Sequence, residues 1–237
     1  MQTSIRYVAI FSLLIQFASN IASHANAGDL TLKSDVHMLV PGFAVEKLPL
    51  ELTNLNNLRY RHDGVLVALG YNGNVWLLRD TNGDGLEDSA TLYWDNKGRL
   101  RGPIGLVVTP PGYAHGSGVI VASKGKLSML ADTDGDDIAD TEKIIANGWR
   151  EISPRVDAVG VAMAADGTLY FAIGCADYAN GHQVNKQGVS EYDLESVRGT
   201  IQKVSPDWSK RETVCTGVRF PVSMDWKIGR ASCRERV

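Results

Sequence analysis

The chain has 237 residues, 24 Lys and Arg against 27 Asp and Glu for a net charge of −3, and it is 44% hydrophobic and 22% charged. That is the composition of a globular protein, and it excludes a disordered polymer, a collagen-like repeat and a disulfide-dense miniprotein. An acidic chain without a Lys/Arg cluster also argues against a nucleic-acid partner.

Residues 1–27 read as an export signal. Arg6 is the only charge, Tyr7–Ala18 is apolar apart from Ser12 and Gln16, and Ala25-Asn26-Ala27 supplies a small-x-small cleavage pattern before Gly28. The apolar run is shorter than the roughly 20 residues a membrane span needs. The expectation is an exported protein, periplasmic or extracellular, that does not span the membrane once processed. An uncleaved N-terminal anchor is the competing reading. Gly28–Trp226 would then be the native segment, with 19 basic and 26 acidic residues and a net charge of −7.

Within that segment the chain repeats. Gly73–Asp88 (GNVWLLRDTNGDGLED) and Gly125–Asp140 (GKLSMLADTDGDDIAD) align without a gap at a constant offset of 52 residues. Short runs rich in Val, Ile, Leu and Tyr surround each, punctuated by Gly, Asp and Asn. In chain order they are Leu55–Tyr60, Val65–Leu69, Val75–Leu78 and Ala90–Trp94, followed by Ile104–Val108, Gly118–Ala122, Lys126–Leu130 and Glu142–Ala146. A third set comprises Gly160–Ala164, Thr168–Ile173, Thr200–Val204 and Glu212–Cys215, and Val222–Trp226 begins a fourth. Four short antiparallel strands every ~50 residues predict an all-β propeller of four-stranded blades. The chain would hold about three blades and the start of a fourth, an open ring, over 28–226. Gly42–Leu48 is expected as an extra strand that completes the last blade. A β-sandwich is the alternative, but it does not account for the gapless repeat.

The repeated loops carry oxygen ligands at positions 1, 3, 5 and 9: Asp80, Asn82, Asp84 and Asp88 in the first, Asp132, Asp134, Asp136 and Asp140 in the second. The carbonyls of Leu86 and Ile138 at position 7 would add one ligand each. Ca²⁺ takes six to eight oxygens, and alternate side chains of a tight loop converge to supply them. Position 12 holds Thr91 and Lys143 rather than a bidentate Glu, so these are EF-like loops without the strongest ligand. A solvated Asp/Gly turn without an ion is the other reading.

Label the strands of a blade A to D. The aspartate loops are then C–D turns, and the B–C and D–A connections gather at the opposite end. That end would collect Tyr71, Lys97, Arg99, Arg101, Lys124, Trp149, Arg150, Arg155, Tyr178, His182, Arg198 and Arg219, a basic and aromatic face suited to an anionic or sugar-like ligand. The Gly174–Gly199 insertion is its most site-like segment, because loops of that length are usually functional. It offers Cys175, Asp177, Tyr178, His182, Tyr192 and Arg198. His115 falls in an A–B turn at the other end and is expected to be incidental. Cys175 and Cys215 could bridge in an exported protein or remain two thiols.

Lys227–Val237 (KIGRASCRERV) back-translates into a sequence resembling a sequencing adapter read in frame. It is expected to be foreign to the fold and to pack on nothing.

Gly160–Gly174 (GVAMAADGTLYFAIG), Gly199–Asp207 and Thr216–Pro221 resemble successive blades of the soluble quinoprotein glucose/sorbosone dehydrogenase-like propellers. The DxDGDG-type loops make the chain similar to the membrane-bound dehydrogenase-like, haem-binding-domain branch. The resemblance implies a six-bladed ring, Ca²⁺, pyrroloquinoline quinone (PQQ) at its centre, oxidation of a sugar or polyol, and a c-type haem domain outside this sequence. It also implies that Arg219 matches the arginine of the family's G-x-R-N-P motif, with Phe220 in place of its asparagine, and that Arg155 and Arg198 help hold the cofactor. The family's catalytic histidine falls at about Val156, beside Asp157. Asp157 and His182 are therefore the candidate catalytic groups, and turnover stays open. The alternative is a non-catalytic propeller that binds a polysaccharide or protein through the basic-aromatic face.

Overall fold

The computed structural model describes residues 13–14, 38–151, 157–176, 179–181, 184–227 and 230–235. Among them there are strands and no helix, and no helix is long and apolar enough to cross a membrane. Leu13–Leu14 (β1) pairs with Ala44–Val45 (β2). Within Gly42–Leu48 the strand shortens to two residues, which pair with β1.

Three four-stranded antiparallel sheets follow, each in sequence order. The first comprises β3 (Leu55–Tyr60), β4 (Leu66–Gly70), β5 (Val75–Arg79) and β6 (Ser89–Trp94). The second comprises β7 (Gly105–Val108), β8 (Gly118–Ser123), β9 (Lys126–Ala131) and β10 (Thr141–Asn147). The third comprises β11 (Ala158–Met163), β12 (Leu169–Ile173), β13 (Thr200–Val204) and β14 (Arg211–Thr216). β15 (Pro221–Lys227) then forms a hairpin with β16 (Arg230–Glu235). The tail is therefore paired along its backbone instead of packing on nothing. The pairing supplies partners for strand amides and carbonyls whatever the side chains are.

The first strand of each sheet touches the first strand of the next, in the order β3, β7, β11, β15. These are the inner strands of successive propeller blades. Bulges interrupt the pairing of β3 near Asn56, of β11 near Val159–Gly160 and of β15 near Val222. Such bulges bend a strand and increase its twist.

The middle strands of the second blade are apolar on both faces because that blade lies between the first and the third. In β8, Val119 and Val121 face the first blade with Val67, Leu69 and Leu77, while Ile120 and Ala122 face the third with Leu169, Phe171 and Ile173. A third cluster joins Val159, Ala172 and Met224 between the third blade and β15. Alternation is present in the structure but invisible in the sequence, since successive side chains enter two different cores. Gly105 and Gly160 let the inner strands close up: a Cβ on Gly105 would stand 2.1 Å from the Val159 carbonyl oxygen, and one on Gly160 2.7 Å from that of Pro221.

Candidate functional site

The antiparallel order puts the aspartate loops, which join β5 to β6 and β9 to β10, at one end of the blades. The two loops fold alike. The Asp80 carboxylate accepts the amides of Gly83 and Gly85 (2.7 and 2.8 Å), and Asp132 accepts those of Gly135 and Asp137 (2.7 and 3.0 Å). The Gly85 amide foremost, then Gly83, holds the Asp80 carboxyl below the usual carboxylate range. Asp88 accepts the amide and hydroxyl of Thr81, and Asp140 those of Thr133. The position-9 carboxylates thus also tie the two ends of their loops together. The carboxylates of Asp132, Asp134 and Asp136 lie within 4.8 Å of one another. Asp80, Asn82 and Asp84 occupy the same positions of the first loop. This hard-oxygen donor set suits a divalent cation of the Ca²⁺ class.

Sequence reasoning missed Asp137. It stands where the first loop has Gly85, and it keeps the glycine-like backbone, φ 67° against 92°. Its carboxylate bridges to the first blade, 2.6 Å from Arg61 and 2.6 Å from Arg79, and Arg61 also pairs with Asp63 at 2.7 Å. The only signal in the sequence was the departure of Asp137 from the repeat. The cluster opens on a cleft of about 650 Å³ between the first two blades, whose wall includes Arg61, Asp63 and Tyr93. At this end lies His115. It stacks on Trp208 of the third blade (3.7 Å, 13°) and meets the Pro206 carbonyl through Nε2 at 2.7 Å.

Hydrogen bonding to Arg61 holds the Asp63 carboxyl at about 2. A carboxylate with a depressed pKa stabilises the fold only while ionised. Its contribution is complete above the unfolded value of about 3.9 and disappears as pH falls toward the folded one. Acid titration of the unfolding free energy is expected to show a loss across this window, and Asp63→Asn should remove that part of the slope. An unchanged profile would contradict it.

The opposite end holds the Gly174–Gly199 insertion, which the described residues pin tightly. Asp157 and Arg198 are buried and form an ion pair, and Asp157 also accepts the Gly125 amide at 3.0 Å. Asn180 donates to the carbonyls of Asp193 and Arg198 (3.0 and 2.9 Å). Tyr192 donates to the Gly199 carbonyl and accepts the Gly217 amide. The Gly174 amide bonds the Asp157 carbonyl and the Cys175 amide that of Arg219, each at 3.0 Å, so the connections carrying Asp157 and Arg219 meet on one short stretch.

Arg219 is exposed there. Its neighbour Phe220 lies against Gly174, where a Cβ would come within 2.1 Å of the ring. Asp157 is not an open base, because Arg198 and Gly125 occupy its oxygens, and the Arg198 guanidinium is correspondingly committed. Arg155, Asp177, Tyr178 and His182 lie outside the described residues. Trp149 is no stacking platform: it is buried against Phe171, with the Arg211 guanidinium 5.2 Å over its ring. Arg101 pairs with Glu151, and Arg99 lies over Trp94. Among these residues the loop-rich end is thus less openly basic than the sequence suggests. Cys175 and Cys215 form no disulfide; the first is buried and the second exposed.

A family model described as a domain of unknown function (DUF7133) matches residues 55–228. No curated protein sequence matches. The fold is similar to the holo form of the pyranose dehydrogenase PQQ domain from Coprinopsis cinerea, at 13% identity and a TM-score of 0.55 over 73% of this chain and 41% of that one. It is similar to a glucose dehydrogenase at 17% identity and a TM-score of 0.51, over 73% and 54%. It is also similar to a chain of a nidogen/laminin complex at 11% identity and a TM-score of 0.52, over 77% and 56%. The chain spans about half the length of these structures. At such identities the likeness shows the propeller fold, which dehydrogenases share with a chain of a nidogen/laminin complex.

Proposed function

We propose, for a chain that belongs to the family described as a domain of unknown function (DUF7133), an exported propeller of the quinoprotein dehydrogenase-like class that uses Ca²⁺ at its aspartate loops for stability. Its ligand end is the one with the insertion. The observation that carries this reading is the meeting of the buried Asp157–Arg198 pair, the pinned insertion and exposed Arg219 at the end opposite the carboxylate cluster.

A PQQ-like ligand fits this end in part. The guanidinium of exposed Arg219 has the planar fork that suits one carboxylate, and Arg198 is paired with Asp157. When bound, such a quinone would supply a two-electron acceptor for hydride from a sugar or polyol, with a haem partner outside the chain as electron sink. The chain's own residues would hold the carboxylate at Arg219 and wall the site with the insertion. Abstraction of a hydroxyl proton also needs a base, and Asp157 reaches that role only by leaving Arg198. That commitment favours a second reading, a non-catalytic module that binds polysaccharide or protein at the same end.

Reconstitution of the chain with PQQ and Ca²⁺, followed by reduction of an artificial acceptor in the presence of sugars and polyols, separates the two. Acceptor reduction supports the dehydrogenase, and PQQ binding without turnover, or no binding, supports the module. For the cation, Ca²⁺ at a hundredfold excess over Kd is expected to stabilise by about 2.7 kcal/mol per site. Scanning calorimetry with and without chelator reads this as a rise in Tm, and coincident traces would count against calcium.

A further inference from the structure

The loop-rich end between the first two blades carries side chains that the insertion does not use. The β4–β5 turn presents Tyr71, 54% exposed. The connection from β6 to β7 presents exposed Arg99, and the β8–β9 turn presents half-buried Lys124. Buried Asn96 ties the first two segments together. Its Nδ2 donates to the carbonyls of Asn72 and Leu100 (2.7 and 2.8 Å), its Oδ1 accepts the Leu100 amide, and its own amide donates to Asn74 Oδ1 at 3.0 Å. The Arg99 amide closes a turn on the Asn96 carbonyl, and the Lys124 amide donates to the Arg101 carbonyl, both at 2.9 Å. The three segments are thus fixed to one another before any ligand arrives, which lowers the ordering cost of binding. The Arg99 guanidinium lies over the Trp94 ring, 5.2 Å from its centroid, which holds it in place while its N–H groups stay available to an acceptor. Among the described residues neither Arg99 nor Lys124 has a carboxylate partner, whereas Lys97 is paired with Asp95 and Arg101 with Glu151.

We propose that Tyr71, Arg99 and Lys124 form a subsite for an acidic oligosaccharide, a chain of sugars that carry carboxylates. Tyr71 offers an apolar face to the C–H side of a sugar ring. Arg99 meets one carboxylate with its planar fork, and Lys124 meets a second as a point charge. The chain as a whole is acidic, with a net charge of −3, so two cations without carboxylate partners draw an anion to this spot and not to the surface at large. An acidic peptide would satisfy the cations but would leave Tyr71 without a ring to stack on. The subsite rests on the ligand end assigned above and narrows its polysaccharide reading to uronate-bearing chains.

Isothermal titration of the full chain tests this with a galacturonate trimer, the same trimer fully methyl-esterified, and pentaglutamate. Wild type should bind the uronate about tenfold more tightly than the ester, since charge-assisted bonds are the stronger ones, and added salt should erode that preference by screening. Arg99→Gln and Lys124→Gln should each weaken the uronate about fivefold, as for exposed ion pairs, and leave the ester unchanged. Arg99→Lys should recover only part of the loss, because an ammonium lacks the fork. Tyr71→Ala should weaken both trimers about tenfold, as loss of an aromatic anchor does. All three side chains reach solvent, and circular dichroism checks that the variants fold. Equal affinity for uronate and ester, or unchanged uronate affinity in both glutamine variants, would overturn the subsite and leave the polysaccharide reading standing. Pentaglutamate bound as tightly as the uronate, with Tyr71→Ala without effect, would overturn the choice of a sugar in favour of an acidic protein. Absence of binding by either trimer at millimolar concentration would overturn the subsite and the polysaccharide reading together.

Discussion

Asp157→Ala is expected to destabilise the protein by about 3–5 kcal/mol, the cost of removing one partner from a buried ion pair. Asp157 is 0% and Arg198 2% exposed, so the guanidinium left behind has no route to water without moving the insertion. The Gly125 amide loses its acceptor as well. Urea unfolding of the wild type and the variant measures the difference. The double variant Asp157→Leu with Arg198→Met should recover most of the loss, because an apolar pair of similar volume often replaces a buried ion pair at little cost. A loss below about 1 kcal/mol for Asp157→Ala would place the pair with surface ion pairs and remove the anchoring role. Any effect of Asp157→Asn on PQQ-dependent turnover has to be read after this stability change is subtracted.

Gly105→Ala is expected to cost about 3 kcal/mol, at the upper end of overpacking effects, because the obstacle is backbone. The added methyl would meet the Val159 carbonyl oxygen at 2.1 Å. Relief requires β7 and β11 to separate, which opens the core between the second and third blades around Met129 and Phe171. Gly98→Ala separates crowding from backbone preference. Gly98 has φ +80° and nothing near its Cβ position, so it should cost only the left-handed penalty of about 1–2 kcal/mol. Equal losses at the two sites, measured by denaturant melts, would show that inner-strand crowding contributes nothing.

Most of the fold was legible because its signals are local. Gly, Asp and Asn punctuate runs of β-branched and aromatic residues, and the repeat of the aspartate loops sets the spacing of the blades. Observed strand ends accordingly depart from the expected ones by only a residue or two. The segment around β16 was expected to pack on nothing, yet it pairs with β15 because strand pairing satisfies backbone groups regardless of side chains. Trp149 was assigned to a surface because position in a connection says nothing about depth, and its indole fills the space beside Phe171.

The candidate site divides along the same line. Amino-acid sequence by itself determined the aspartate loops, since the ligand spacing lies within nine residues and each loop closes on its own amides. It also determined which connections gather at each end, because antiparallel order follows from strand count. Only the tertiary structure decided that Asp157 is bound to Arg198, that Asp137 reaches Arg61 and Arg79 on another blade, and that His115 stacks on Trp208. Each of these joins residues far apart in the chain. Their energies depend on burial and on distances of a few ångströms between blades, quantities that arise when the cores between blades close and that no local pattern of residue types encodes.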